Sequence, residues 1–306
     1  MEFTRASTLP AAPAALQQSA QYARALDQMG AHVETWIADA GSGPLARIQI
    51  VRRRFGPLPV SWVPRGPVWL NAPSEAARAE ILRGLPRATG TAGLWIIAPD
   101  HPADTHLIRQ TPFISPQHVA EIDLGEDAGA RMARQHVKWR NRLRHAQRSG
   151  LRVSHRRFDP ARDNHVIRRE TDQQRARSYR ALPAAFVDAW ASANPRDSRL
   201  FTVIHDGAGV AHMLILLHHP VATYHIGWSG DHGRALSAHN LALWEAAAWL
   251  ARKGYTRFDL GSVDTQNAPG LARFKIGSGA GIRALGPTCL YLPQFPLRRL
   301  IRHAAA

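Results

Sequence analysis

The sequence predicts a mixed α/β protein of two similar halves, each a mostly antiparallel sheet flanked by helices, on three observations. Segments of helical and strand character run in the order helix, three strands, helix, two strands, and the second half of the chain returns to that order. In that second half an antiparallel meander leads straight into a strand, helix, strand crossover, the connection that parallel strands require. With 306 residues, 45% of them hydrophobic, the chain can bury a sizeable core, and its length suits two medium domains.

Residues 15–29 set Leu16, Tyr22, Ala23 and Leu26 at helical spacing, and Gly30 is placed to stop the helix. Strand-like runs at 33–38, 45–51 and 59–63 are separated by GSGP, FGPLP and PRGP, which are turn compositions. Ser74 is a helix cap for SEAARAEILRGL with Glu75 in the first turn, and LWIIA (94–98) and VAEIDL (119–124) read as strands. From Glu126 to Arg148 the pattern predicts one long basic helix ended by Gly150, followed by an exposed strand in LRVSHRRF. Helices at 166–180 and 183–193 lead to strands at 199–205, 210–218 and 221–228, joined by tight turns at Asp206–Gly207 and His219–Pro220. Ser237 opens a helix that runs to Gly254, with a strand at 256–260, a short helical piece at 270–276 and a last strand over 282–291. The expected domains are 1–130, with 287–306 packing back on it, and 131–286, led by the basic helix 131–149.

The formal charge of +16 predicts attraction to polyanions: nucleic acid, an anionic membrane surface or a phosphorylated small molecule. All but three of the 39 basic residues are arginine, which singles out Lys138, Lys253 and Lys275, because a desolvated lysine can titrate near neutrality and an arginine cannot. The single cysteine, Cys289, permits no intramolecular disulfide and no multi-cysteine metal site, which fits a cytoplasmic setting. The N-terminal stretch, with two prolines and few large aliphatics, makes a poor signal-peptide core, and no apolar run reaches the length of a membrane-spanning helix. Histidines are numerous, seven of them falling between 205 and 239, and strand alternation puts His212 and His218 on one face, yet without metal-ligand spacing the expectation is no metal. The C-terminal FPLRRLIRHAAA is a basic amphipathic piece suited either to peripheral contact with an anionic membrane or to packing Leu297, Leu300 and Ile301 on the domain.

The meander and crossover have the layout of the GNAT fold, and two segments resemble the Fem-like branch of that superfamily, the transferases that add amino acids to peptidoglycan precursors. One is HVKWRNRLRHAQRSGLRV (136–153), similar to the family's basic helix followed by a Gly and a strand. The other is LALWEAAAWLARKGYTRFDLGSVDTQNAPGLARFKIGSGAGIRALG (241–286), which resembles the family's helix, Gly, strand ending in Asp-Leu-Gly, loop, Phe-Lys unit and glycine-rich turn. The resemblance implies tandem GNAT-like domains with a cleft between or beside them. It also implies attack of an amine on an activated acyl ester or thioester, without a covalent enzyme intermediate. No permanently bound cofactor is implied; the co-substrate is aminoacyl-tRNA or an acyl-CoA or other acyl carrier. The Gly-x-Gly signature of CoA-dependent GNAT enzymes is absent before the crossover helix, where the chain reads GRALSAHN (233–240), so the donor stays open. The acceptor class is a phosphorylated or lipid-linked small molecule; tRNA is the expected nucleic-acid partner and DNA is not.

Within that frame Lys275, Asp259 and Asp264 are the candidate catalytic residues. Lys275 follows Arg273 and Phe274, and its ammonium suits a phosphate or the tetrahedral oxyanion of acyl transfer; otherwise it is a lysine beside a buried Phe274. The glycines after it, Gly277 and Gly279, fit a close ligand approach or merely a turn. Asp259 ends an apolar strand, where it either orients the attacking amine or ties down backbone N–H groups. Ser262, Asp264 and Gln266 lie beyond it at the carboxyl end of that strand, a place for substrate contact. Lys138, Arg140 and Arg142 of the basic helix form a landing site for phosphates or a solvated arginine-rich face, with Trp139 and Leu143 as its core contacts. His225, Trp228 and Ser229 are placed to line the cleft, Tyr224 and Trp244 to sit in the core, and His239 and Asn240 to face an anion from the crossover helix N-terminus. The competing reading is a non-catalytic basic nucleic-acid-binding or scaffold protein on a degenerate GNAT fold, for which the charge suffices but stacking aromatics and recognition motifs are missing.

Overall fold

In the computed structural model, residues 1–291 are described apart from 7, 9, 11, 91, 92, 108–110 and 178–181. Numbered along the chain, the elements begin with β1 (Glu2–Arg5), α1 (Ala20–Gln28), β2 (His32–Asp39), β3 (Pro44–Phe55), β4 (Leu58–Pro64), β5 (Val68–Trp69), α2 (Glu75–Ala88), β6 (Leu94–Ala98) and β7 (Thr111–Ile114). There follow β8 (His118–Asp123), α3 (Ala128–Arg134), α4 (Val137–Arg148), β9 (Arg152–Arg156), α5 (Pro160–Arg177) and α6 (Ala184–Ala193). The chain goes on through β10 (Ser198–His205), β11 (Ala208–His218), β12 (Val221–Ser229), α7 (Asp231–Ala235) and α8 (Ala238–Arg252). It closes with β13 (Arg257–Ser262), α9 (Pro269–Gly277), β14 (Gly281–Ala284) and β15 (Thr288–Tyr291). The C-terminal basic segment lies outside the described residues.

Two compact units divide these elements, one comprising the described residues in 1–11, 31–116 and 285–291, the other those in 12–30 and 117–284. The sheet of the first has the order β1, β2, β3, β4, β6, β15, β7, with β5 beside β3; β4 and β6 are parallel and the other described pairs antiparallel. The sheet of the second has the order β9, β10, β11, β12, β13, β8, β14, again with one parallel pair, β12 and β13. Each sheet is therefore a four-stranded meander, a helical crossover (α2 or α8) to a parallel fifth strand, and two antiparallel strands beyond it. The same plan twice is the tandem mixed α/β architecture the sequence predicts.

Local chemistry explains the crossover helices. Ser74 Oγ accepts from Ala77 N at 3.2 Å to start α2, whose Ile81, Leu82 and Leu85 pack on Ile48, Ile50, Trp95 and Ile97 of the first sheet. In the second unit, α8 buries Leu241, Ala242, Ala246 and Leu250 against one sheet face together with Trp139, Leu143 and Ala146 of α4, while α5 and α6 cover the opposite face through Val166, Ile167 and Val187. Ser237 does precede α8 but makes no side-chain cap; its backbone is left-handed, at φ +54°, because the short α7 turns the chain just before it.

The structure departs from the sequence reading in three places that matter for the site. The long basic helix is two: Asp127 caps α3 through Ala130 N (2.8 Å), Gln135 is extended, and His136 starts α4 by accepting from Lys138 N (3.2 Å). The His136 N–H leaves the helix register to donate to Gly277 O (3.0 Å), which pins the break to the end of α9. The last strand also divides, β14 pairing with β8 in the second sheet and β15 with β6 and β7 in the first. The division between units falls near residue 117, since β8 pairs with β13; residues 12–30 join the second unit, where Tyr22 packs on Phe186 with ring centroids 5.6 Å apart. Loss of a helix cap costs about 1 kcal/mol. Asp127→Ala is accordingly expected to lower the melting temperature by a few degrees, and thermal denaturation checks it.

Candidate functional site

The site forms where the parallel pair of the second sheet comes apart. β12 and β13 pair through Val221 with Arg257, Ala222 with Phe258 and Thr223 with Asp259, and then separate. β12 stays on β11 as far as Ser229, and β13 stays on β8 as far as Ser262, so a wedge opens between the two carboxyl ends. Asp259 helps to bend β13 away: its Oδ1 accepts from Gly261 N at 2.7 Å, and Gly261 has φ +77°, where glycine is favoured. The carboxylate read as catalytic or structural thus has a visible structural task.

Lys275 reaches into this wedge from α9. It is 5% exposed, its Nζ donates to Ser262 O at 2.8 Å, and it lies 5.9 Å from the Tyr224 ring centroid. Burial pushes its pKa down to about 8, and the negative charge of Asp259 opposes that shift. One N–H of the ammonium is spent on the carbonyl; the charge is otherwise desolvated, a condition in which it stabilises a nearby anion far more than in water. Tyr224 Oη is 3.1 Å from His239 Nε2, and the His239 ring packs 5.2 Å from the Phe274 ring, which in turn sits 6.0 Å from Trp139. Burial pushes the His239 pKa down to about 4, so the imidazole is neutral above that pH. His239 Nδ1 and Asn240 Nδ2 are buried without a hydrogen-bond partner among the described residues.

The structure therefore brings Lys275, Asp259, His239, Phe274 and the Ser262 backbone to one wedge, while Asn240 is buried at the start of α8. It adds to the wedge Tyr224, which the sequence had placed in the core. A β-bulge explains why. Ile215 faces Tyr224 and Leu214 faces Ile226, leaving His225 unpaired, so strand parity flips there. Tyr224 and Gly227 point to the α8 side, whereas Trp228 points to α5, where Arg169 stacks on it (4.0 Å to the centroid) and His212 packs at 5.5 Å. His225 packs on Phe186 of α6. The expected grouping of Trp228 with the cleft is thereby corrected: bulge parity puts it on the other sheet face. Ser229 remains at the strand end, where its carbonyl accepts from Arg234.

Other candidates stand apart. Asp264 Oδ1 accepts from Gln266 N (3.0 Å) and Asn267 N (2.8 Å), and its Oδ2 from Asn267 Nδ2 (2.8 Å); these bonds, chiefly from Asn267, lower its pKa and hold the loop before α9. Gln266 and Arg273 are exposed. Lys138 and Arg142 lie exposed on α4, each just before a buried residue, Trp139 or Leu143, and Arg140 is half-buried beside Met132 O. Gly277 and Gly279 serve close helix packing: a Cβ would come within 3.0 Å of Trp139 at the first and within 3.0 Å of the Arg134 backbone at the second. His212 bonds Arg169 and Thr202, and His218 bonds Thr223. Six residue steps along β11, about 20 Å, separate these two histidines, too far to share a metal. No group of three or more metal-capable side chains occurs among the described residues, and no helix there is long and apolar enough to cross a membrane.

Residues 134–275, which carry the meander, the crossover and the parallel pair that splits around a polar centre, match the family described as Acetyltransferase (GNAT) domain. The chain is similar in fold to FemX (TM-score 0.77, 14% identity, 94% of this chain and 95% of that one covered). It is also similar to L-PGS from Bacillus licheniformis (TM-score 0.51, 16% identity, 88% and 88% covered). A third likeness is to a tandem GNAT protein from the clavulanic acid biosynthesis pathway (TM-score 0.50, 13% identity, 87% and 85% covered). No curated protein sequence matches. The Fem-like, tandem GNAT resemblance drawn from the sequence is thus present in the fold.

Proposed function

We propose that the protein transfers an acyl or aminoacyl group from an activated carrier to an amine, with the chemistry at the Lys275 wedge. The observation that carries this reading is a buried lysine held between two parting parallel strands of a GNAT domain. The amine nitrogen attacks the carbonyl carbon of the donor ester or thioester, and the Lys275 ammonium stabilises the oxyanion that forms. As the oxyanion collapses, the carbon–oxygen or carbon–sulfur bond to the carrier breaks. Tyr224, beside neutral His239, is placed to pass the proton released by the amine towards the leaving group. Asp259 acts as a positioning residue, through the bend at Gly261 and through its charge on Lys275. The Fem-like fold supports aminoacyl-tRNA as donor and a phosphorylated or lipid-linked cell-envelope precursor as acceptor, met at the inner face of the membrane.

Purified protein is melted against acetyl-CoA, longer acyl-CoAs, charged and uncharged tRNA and nucleotide-linked muropeptides, at two salt concentrations. A salt-resistant rise from one donor class supports transfer and names the carrier. Rises from nucleic acid of every kind, abolished by salt, sink this reading and leave a basic binding protein. Once a donor is known, turnover is expected to fall as pH rises through about 8, because the active form of Lys275 is the ammonium. Lys275→Arg, whose cation does not titrate there, loses that alkaline limb. A rate that instead rises through the same pH range would make Lys275 a base.

A further inference from the structure

A second polar site lies in the same unit and does not include Lys275. A pocket of about 450 Å³ is lined by α3, the end of β8, the start of β13, the turn after α9 and β14. Four arginines face it, Arg131, Arg134, Arg257 and Arg283, against the carboxylates Glu121, Asp123 and Glu126.

Their pairing leaves a remainder. Arg283 grips Glu121 through one edge of its guanidinium, Nη2 donating to Oε1 at 2.9 Å and Nε to Oε2 at 3.2 Å. Arg134 Nη1 binds Glu126 Oε1 at 2.9 Å. Asp123 is exposed, and its Oδ1 accepts from Gly125 N. Arg257 has no carboxylate at hydrogen-bond distance: its Nε is 3.8 Å from Glu121 Oε1, and its Nε and Nη2 are buried with no hydrogen-bond partner among the described residues. Arg131 is 8% exposed, gives Nη1 to the Glu126 carbonyl, and keeps a buried Nε without a partner.

Arg131 and Arg257 therefore line the pocket as two permanently charged guanidinium groups with no carboxylate of their own at hydrogen-bond distance among the described residues, an uncompensated charge that an entering anion balances. Guanidinium forks match tetrahedral oxyanions, and two of them balance a dianion, where a carboxylate would balance only one. The volume is that of an ordinary small-ligand pocket. We propose that this pocket binds the phosphoryl group of a small phosphorylated ligand, held by Arg131 and Arg257, as a site separate from the Lys275 wedge.

The full chain is titrated with inorganic phosphate and pyrophosphate at constant ionic strength, by calorimetry and by thermal melting. The expected result is saturable binding, with a rise in melting temperature of roughly 5 °C at about a hundredfold excess over Kd. Arg257→Gln lowers the affinity tenfold or more, whereas Lys275→Met binds as the wild type does. If Arg257→Gln does not fold, Arg257→Lys, which keeps charge but loses the fork, shows the same loss. Three results overturn the proposal: no binding of either anion, equal affinity in the Arg257 variant, or loss of affinity in Lys275→Met. Stabilisation by a single-stranded oligoribonucleotide with phosphate and pyrophosphate inert overturns it as well.

Discussion

Lys275→Met is expected to melt higher than the wild type and to transfer almost nothing. The stability half follows from burial. A lysine whose pKa falls from 10.5 to about 8 on folding holds its proton less well in the native state than in the unfolded chain. At 1.36 kcal/mol per pK unit the buried ammonium costs on the order of 3 kcal/mol near neutral pH. Methionine fills a similar volume without charge, and the forfeited hydrogen bond to Ser262 O returns about 1 kcal/mol of that gain. A net stabilisation of roughly 2 kcal/mol remains, enough to raise the melting temperature by several degrees. The sign with pH is definite. Between about pH 8 and 10.5 the unfolded state binds more protons than the native one, so wild-type stability rises with pH across that window and the variant shows no such rise. The activity half follows from the oxyanion: removing one preorganised donor costs about 10²- to 10³-fold in kcat. A residue that costs stability and returns it as rate belongs to a working site. A variant that keeps its turnover, whatever its melting temperature, would remove Lys275 from the chemistry.

Much of this was open to the sequence where the cause is local. The Ser74 cap and the Ile81, Leu82, Leu85 spacing are written into consecutive residues, and α2 forms as they dictate. The β12, α8, β13 crossover was legible because the run from Leu241 to Gly254 is apolar and closed by a glycine. The break between α3 and α4 was not, since each half keeps helical periodicity and the His136 cap is formed with a residue type that seldom signals one. The division of β14 from β15 did have a sign in Gly286–Pro287, a turn pair inside the run read as one strand. The wedge itself was half visible. Lys275 stood out through its place after Phe274 and before a glycine-rich turn. Tyr224 and Trp228 exchanged their expected faces because of the bulge at His225, and a bulge is fixed by which strands pair, a non-local fact that composition does not carry.

That bulge also makes Gly227 the position where the site is most easily damaged from outside the candidate residues. Gly227 needs no unusual φ; it is held to glycine by its neighbours. A Cβ there would lie 1.7 Å from Tyr224 Oη and 2.8 Å from His239 Nε2, contacts no side chain tolerates. In Gly227→Ala either the tyrosine swings away or the strand shifts, and the 3.1 Å contact between Tyr224 and His239 is lost. Overpacking of this kind costs about 1–3 kcal/mol. The expected result is a melting temperature lower by several degrees together with a fall in kcat of at least tenfold, although Lys275 is untouched. Tyr224→Phe separates the two effects. Alone, it keeps the ring in place and lowers kcat with little change in melting; combined with Gly227→Ala, it relieves the closest contact, though the ring carbon at 2.6 Å and His239 Nε2 at 2.8 Å remain, and so recovers part of the stability but not the rate. Because the pair acts as a unit, the two substitutions are non-additive in rate, each removing the same proton path. If Tyr224→Phe turns over as fast as the wild type, the proton leaves by another route and Tyr224 serves only to pack the wedge.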